Sequence, residues 1–273
     1  MTLKDAETAV NWAGDEGWNP GLDDAEYFYN SDPQGFFIGE LLDRPIGSIS
    51  AVAYSDAFGF MGYYIVRPEY RGKGYGIQLW KRAMDYMGNR VIGLDAVLAQ
   101  EGNYQKSGFA TVYHTFRFEG KSNDSYKDPK EIVELKTLDL NTLYAYDNLS
   151  FPASRSSFLK RWIQPTRGAS LGYIDDKGLK GYGVIRTSRS GYRIGPLFAD
   201  SNDIAEAIYR ALITRIPSGS SVFIDIPEIN IPALKLAERF NMQMGFETAR
   251  MYRGIPIPIQ LDKIYGVTSL ELG

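Results

Sequence analysis

The stretch Ile65-Val66-Arg67-Pro68-Glu69-Tyr70-Arg71-Gly72-Lys73-Gly74-Tyr75-Gly76 combines residue types and spacing that point to chemistry. Residues 58–66 form an apolar, aromatic run that reads as a strand, and Pro68 stops it. Three glycines follow within five residues, and 77–87 reads as an amphipathic helix. Strand, glycine-rich turn and helix in that order build an anion site. The first helical N–H groups lack partners, the helix dipole adds roughly half a positive charge, and glycine lets the backbone approach a ligand. The alternative is a glycine-rich turn that only reverses the chain.

Arg71-x-x-Gly74-x-Gly76, shortly after the strand-ending Val66, resembles the acetyl-CoA pyrophosphate loop of the GNAT acetyltransferases. It matches neither the G-x-G-x-x-G dinucleotide pattern nor a Walker loop. A second family motif follows, Tyr104-x-x-x-Gly108-Phe109, in which such a tyrosine commonly sits beside the CoA sulfur. The resemblance implies that Tyr104 protonates the departing thiolate as general acid, a step that needs a donor within hydrogen-bond reach. It further implies that Ile65 and Val66 offer backbone groups to the pantetheine arm and that Asn103 flanks the thioester. Arg71, Gly72, Lys73, Gly74, Tyr75 and Gly76 would form the pyrophosphate loop, and the Val66 N–H would polarise the thioester carbonyl.

The general base is less legible. Residues 60–66 hold no carboxylate, so a water held by a remote carboxylate or by Tyr63 or Tyr64 is one route. His114, the one histidine, is another candidate base, beside the reading that it is structural. In GNAT folds the loop between the first two helices lines the acceptor side, which makes Trp18, Asn19 and Asp23 the acceptor candidates. Residues 5–43 carry ten carboxylates and no Lys or Arg, and this favours a cationic acceptor near that segment, or else a merely solvated acidic face.

The elements that must position these groups read in the family's order. Helices at 3–16 and 22–30 precede strands at 35–40, 45–53 and 58–66, then the loop and helix, a buried strand at 91–97 and a last strand at 110–118. The strand that usually precedes the first GNAT helix is missing from this reading. Beyond a polar linker at 122–131 the order recurs at an offset of about 130 to 134 positions, with Asp95 matching Asp225 and Gly120 matching Gly254. The copy lacks the chemistry. Where the first half has its glycine loop, the second has Phe198-Ala199-Asp200-Ser201-Asn202-Asp203, whose carboxylates would repel a pyrophosphate. The chain resembles the YitH-like two-domain acetyltransferases throughout, through Glu16-Gly17-Trp18-Asn19-Pro20-Gly21, the Thr248–Gly254 stretch and the ending Tyr265–Gly273.

The expectation is therefore an α/β (α+β) GNAT fold of the acyl-CoA N-acyltransferase type in two tandem domains. Residues 1–121 would be catalytic, and 132–273 would be a degenerate copy without CoA binding. The reaction expected is direct transfer from acetyl-CoA to a primary amine, either a small cation or lysine, and a non-catalytic acyl-CoA sensor is the alternative. The absence of cysteine among 273 residues rules out thiolate metal sites and an acyl-cysteine intermediate, and no metal is implied. A net charge of −3 speaks against nucleic acid. No run approaches the roughly 18 apolar residues of a membrane span, and no signal peptide is evident, so a soluble, cytoplasmic enzyme is expected. Monomer and homodimer both remain open.

Overall fold

Thr2 and Asp5 form a capping box, each accepting from the other's backbone N–H (3.3 and 2.7 Å), and this starts helix α1 (Leu3–Asp15). The computed structural model describes residues 1–123 and 125–273; Asp124, in the expected linker, lies outside the described residues. In the first half α2 (Asp24–Tyr29), β1 (Phe36–Leu41), β2 (Arg44–Ala53), β3 (Phe58–Val66), α3 (Tyr75–Met87), β4 (Val91–Val97), α4 (Glu101–Gln105) and β5 (Ala110–Lys121) follow α1. The second half runs β6 (Ile132–Glu134), α5 (Leu140–Asp147), α6 (Ser156–Trp162), β7 (Gly168–Asp175), β8 (Gly178–Thr187), β9 (Tyr192–Ala199), α7 (Asn202–Ile213), β10 (Ser221–Pro227), α8 (Ile231–Arg239), β11 (Gln243–Arg253) and β12 (Ile264–Gly266). No described strand precedes α1, whereas β6 precedes α5 and pairs with β7. None of these helices is long and apolar enough to cross a membrane.

The strands join one sheet in the order β1-β2-β3-β4-β11-β5-β10-β9-β8-β7-β6, with β12 paired to β9. The two halves are related by duplication, yet they exchange their last long strands. β11 of the second half pairs with β4, and β5 of the first half pairs with β10. β11 and β5 then pair with each other at the centre. Repeat-related ion pairs lock this exchange. Asp95 on β4 accepts from Nε and Nη2 of Arg250 on β11 (2.8 and 2.7 Å), and Asp225 on β10 accepts from Nε and Nη2 of Arg117 on β5 (2.6 and 3.0 Å).

Each half repeats the device that opens a cleft. In the first, Ser48 and Ser50 pair with Ile65 and Gly62, so Tyr63 and Tyr64 both oppose Ile49 in a bulge. Tyr63 has φ 47°, a strained value for a bulky residue. Beyond the bulge β3 parts from β4, since their parallel pairing covers only Phe58–Met61 against Val91–Leu94. In the second half Gly195 and Pro196 oppose Val184 in the same way, but there the chain fills its own gap. β12 pairs with β9 where β9 leaves β10, and the Val267 N–H donates to the Asp225 carbonyl (2.9 Å).

The segment after β12 runs from β9 in the second half to β3 in the first. A Cβ on Gly195 would lie 2.3 Å from the Thr268 carbonyl oxygen, and one on Gly62 would lie 2.2 Å from that of Glu271. Both obstacles are backbone, so neither can swing aside. Gly62→Ala is accordingly expected to lower stability by about 1–3 kcal/mol, the usual cost of overpacking, and to release the tail. Denaturant midpoints and limited proteolysis near Leu270 would check this. An alanine variant with wild-type midpoint and protection would show that the tail yields freely.

Candidate active site

The splay of β3 from β4 opens a cavity of about 490 Å³, a typical small-molecule volume. Of the expected cofactor residues, Ile65, Val66, Arg71, Gly72, Gly74 and Gly76 line it. Gly72 and Gly74 stand at φ +73° and +81°, where L side chains are strained, and Gly74 is the N-cap of α3. α3 starts two residues earlier than its apolar periodicity indicates, so Gly76 lies in the first turn; a Cβ there would sit 2.8 Å from the Tyr64 hydroxyl. The N-cap supplies no side-chain acceptor, which leaves the first-turn N–H groups facing the loop. Chain conformation at Gly72 and Gly74 thus favours glycine in a place suited to an anion.

Arg71 is drawn across the mouth of the cleft. Its Nε donates to the Val66 carbonyl (2.7 Å), and its guanidinium pairs with Glu16 at the end of α1. Three expected loop or thioester residues do not line the cavity. Lys73 Nζ donates to the Glu69 carbonyl (2.8 Å), Tyr75 packs edge-on against Tyr70, and Asn103 Nδ2 donates to Gln100 Oε1 (2.8 Å). Gln100 does line the cleft, so Asn103 stands behind a lining residue.

Tyr104 lines the same cleft, its ring 5.3 Å from Trp80 and 6.3 Å from Phe109. Burial raises its phenol above the ordinary value of 10.0, with a smaller push from Tyr64. The hydroxyl therefore keeps its proton at neutral pH, as a donor must.

The acceptor-side candidates separate. Trp18 lines the cleft and its carbonyl accepts from Arg117 (2.6 Å). Asn19 instead clamps the turn between β8 and β9, accepting from the Ser190 N–H (2.8 Å) and donating to the Ser190 carbonyl (3.0 Å). Asp23 faces Arg167 at 3.5 Å and does not line the cleft. The acidic first segment also finds much of its cationic partner within the chain. Asp15 pairs with Arg189 (2.9 Å) and buried Asp24 with Arg186 (2.7 Å), both arginines belonging to the second half. Asp24 is thus an ion-pair partner across the halves, and the α2 N-cap, Asp23, makes no side-chain cap bond.

His114 is not brought to the cleft. Phe246 and Thr248 line it, whereas His114 Nδ1 bonds Glu247, on the opposite face of β11. Its backbone N–H donates to Glu228 Oε1 (2.8 Å). The Glu247 hydrogen bond raises the His114 pKa above 6.5, against a desolvation effect. A raised folded value means that the contribution to stability is complete below pH 6.5 and is lost as pH climbs through the folded value. The side chain is 30% exposed, so the effect should stay within about 1 kcal/mol. Melting curves from pH 5 to 9 should show His114→Gln flattening that decline while turnover stays within about twofold. A large loss of turnover would instead tie His114 to the reaction.

Several lining residues escape sequence reasoning because remote elements deliver them. Phe246 and Thr248 arrive on the exchanged strand β11, and Leu270 and Glu271 arrive on the C-terminal segment. Asp95 also lines the cleft; burial pushes its carboxyl up to about 6 against the pull of Arg250, with the charges of Asp225 and Glu271 adding to the rise. The recurrence of Asp95 and Asp225 in the two halves was the available signal, though it pointed to no partner. Among the described residues no group of three or more His, Asp or Glu gathers to hold a metal.

A glycine loop at a helix N-terminus, a splayed strand pair and a tyrosine at the far end define a GNAT acyltransferase fold, here in tandem. The chain belongs to the GNAT acetyltransferase family and is an acyltransferase: the family model "Acetyltransferase (GNAT) family" matches residues 4–109, and "Acetyltransferase (GNAT) domain" matches 143–266. It is 32% identical over 272 residues to the holothin acyltransferase of Pseudoalteromonas sp., covering 100% of this chain and 92% of that protein. It is 26% identical over 218 residues to the uncharacterized N-acetyltransferase YitH of Bacillus subtilis, covering 78% and 76%. The crystal structure of a proposed acetyltransferase from Pyrococcus horikoshii superposes with a TM-score of 0.84 at 25% identity, over 100% of this chain and 94% of that one. The tandem GNAT protein of the clavulanic acid biosynthesis pathway shares the fold, with a TM-score of 0.65 at 13% identity over 93% and 96%.

Proposed function

We propose that this enzyme transfers an acetyl group from acetyl-CoA to a primary amine, directly within a ternary complex. The observation that carries this reading is the continuity of one cleft from the glycine loop, along the free edge of β3, to Tyr104. The loop and the first turn of α3 would hold the pyrophosphate by backbone N–H groups. The unpaired edge at Ile65 and Val66 would carry the pantetheine arm. The amine nitrogen attacks the thioester carbon, the C–S bond breaks, and Tyr104 gives its proton to the sulfur. That the Pseudoalteromonas relative is named as an acyltransferase of holothin supports acyl transfer on this scaffold.

The second half is proposed to be structural, serving to complete the acceptor wall without binding CoA. Repulsion by Asp200 contributes less to that reading than its local sequence implies, since Lys263 stands 2.9 Å and Lys180 4.0 Å from its carboxylate. Occupation of the β9–β10 gap by β12 is the stronger reason.

Release of free thiol from acetyl-CoA across an amine panel tests the reaction. Gly74→Asp tests the loop: a carboxylate ~5 Å from the pyrophosphate costs roughly 3 kcal/mol at an effective dielectric near 20, or about 100-fold in Kd. Acetyl-CoA binding by that variant at wild-type strength would move the cofactor elsewhere.

A further inference from the structure

Glu271 reaches the cleft from the end of the chain opposite to the glycine loop. Its position is set by backbone contacts: Ser269 Oγ accepts from the N–H groups of Glu271 (3.2 Å) and Leu272 (3.0 Å), and the Glu271 carbonyl rests against Gly62. The residue is 3% exposed and lines the cleft. Its Oε1 lies 3.7 Å from Arg193 Nη1, beyond hydrogen-bond range, while Arg193 gives its close contact to Asp225 (2.6 Å). Oε2 is buried and has no partner among the described residues. On the adjoining bulge the Tyr63 hydroxyl is likewise buried and unpartnered.

Buried polar atoms without partners are costly and call for a ligand or water. An ionised carboxylate accepts only, so the missing group is a donor. An anionic ligand would meet Glu271, which has no cation within hydrogen-bond range; Asp95 and Glu16 also line the cavity, where they are paired with Arg250 and Arg71. Trp18, Phe246 and Leu270 supply apolar surface to the same cavity. The chemistry that fits is an ammonium group on an apolar stem.

We propose that Glu271 is the catalytic carboxylate that receives the acceptor's amino group, with the Tyr63 hydroxyl as a second contact. The amine enters as R–NH3⁺ and gives one proton to Glu271, becoming R–NH2. In the acyl transfer put forward above, on which this step rests, that nitrogen attacks the thioester carbon and the electrons of the broken C–S bond leave on sulfur. Tyr104 protonates the thiolate; the surplus proton on the new amide nitrogen restores Tyr104 through solvent, and Glu271 returns its own proton to water. The sum is an amide, free CoA and one released proton. The charge selection expected from the acidic first segment thus passes to a residue near the other end of the chain.

The test compares n-butylamine with butan-1-ol, a neutral probe of similar shape, by calorimetry on the full chain loaded with CoA. The wild type should bind the amine about tenfold more tightly than the alcohol, and Glu271→Gln should abolish that preference while CoA affinity is kept. Absence of a preference in the wild type, or its persistence in Glu271→Gln, would overturn the proposal. Should Glu271→Gln fail to fold, Tyr63→Phe decides, because it removes a hydroxyl that no described residue uses. Amine binding about three- to tenfold weaker is expected, and unchanged binding overturns the assignment. Acetylation of butylamine is measured in parallel. An intact amine preference without acetyl transfer would count against the reaction and leave the amine site standing.

Discussion

Replacing Asp225 by alanine should cost the protein about 3–5 kcal/mol, the penalty typical of breaking a buried ion pair from one side. Asp225 is 3% exposed and receives Arg117 on both oxygens and Arg193 on Oδ2. Its removal leaves two buried guanidiniums with Glu271, 3.7 Å from Arg193, as the remaining compensation. The same residues join β5, β9 and β10, so the loss should appear as a lower midpoint in cooperative unfolding and not as a local fraying. A destabilisation below about 1 kcal/mol would mean that water or a shifted side chain replaces the carboxylate.

Asp95, its repeat-related counterpart, should behave differently. Against the upward push of burial, Arg117 and Arg193 hold Asp225 down to about 2, whereas burial pushes Asp95 up to about 6. Asp225 therefore contributes stability that is present above the unfolded value of 3.8 and is lost as pH falls through about 2. For Asp95 the sign reverses: its contribution is complete below 3.8 and fades as pH rises through about 6. Asp95→Asn should flatten the stability profile between those two values and leave the acid limb alone.

Tyr104→Phe should lower kcat by about 10²–10³-fold with little change in acetyl-CoA affinity or melting temperature, since general-acid catalysis contributes on that scale. The ring packs against Trp80 and Phe109, and phenylalanine preserves those contacts. In the proposed mechanism, what is removed is the proton for the leaving sulfur. Thioesters with more acidic thiols should lose less rate, because their thiolates leave without help. Equal losses for good and poor leaving groups would show that Tyr104 positions the substrate rather than protonating it, and unchanged kcat would remove it from the reaction.

Much of the site was legible locally. The run of residues 58–66, the three glycines and the helix behind them carry their meaning in adjacent positions, because positive φ, helix start and strand end are short-range properties. Tyr104 was legible for the same reason, being four residues before Gly108-Phe109. His114 shows the limit. Its residue type is compatible with a base, but side-chain alternation on β5 and β11 places it with Glu247, away from the cleft. Asn19 and Asp23 likewise follow the right loop yet point to Ser190 and Arg167.

The sequence by itself determined the element order, the duplication and the glycine loop between β3 and α3, which the second half lacks. Tertiary structure alone decided who pairs with whom. The exchange of β5 and β11, the plugging of the second cleft by β12 and the delivery of Glu271 to the first all join residues far apart in the chain; Arg117 and Asp225 are 108 positions apart. Periodicity records which face of a strand is buried, but a carboxylate in a strand carries no mark of the arginine that will neutralise it. That choice is made when the chain packs, by the cost of leaving either charge alone in a dry interior.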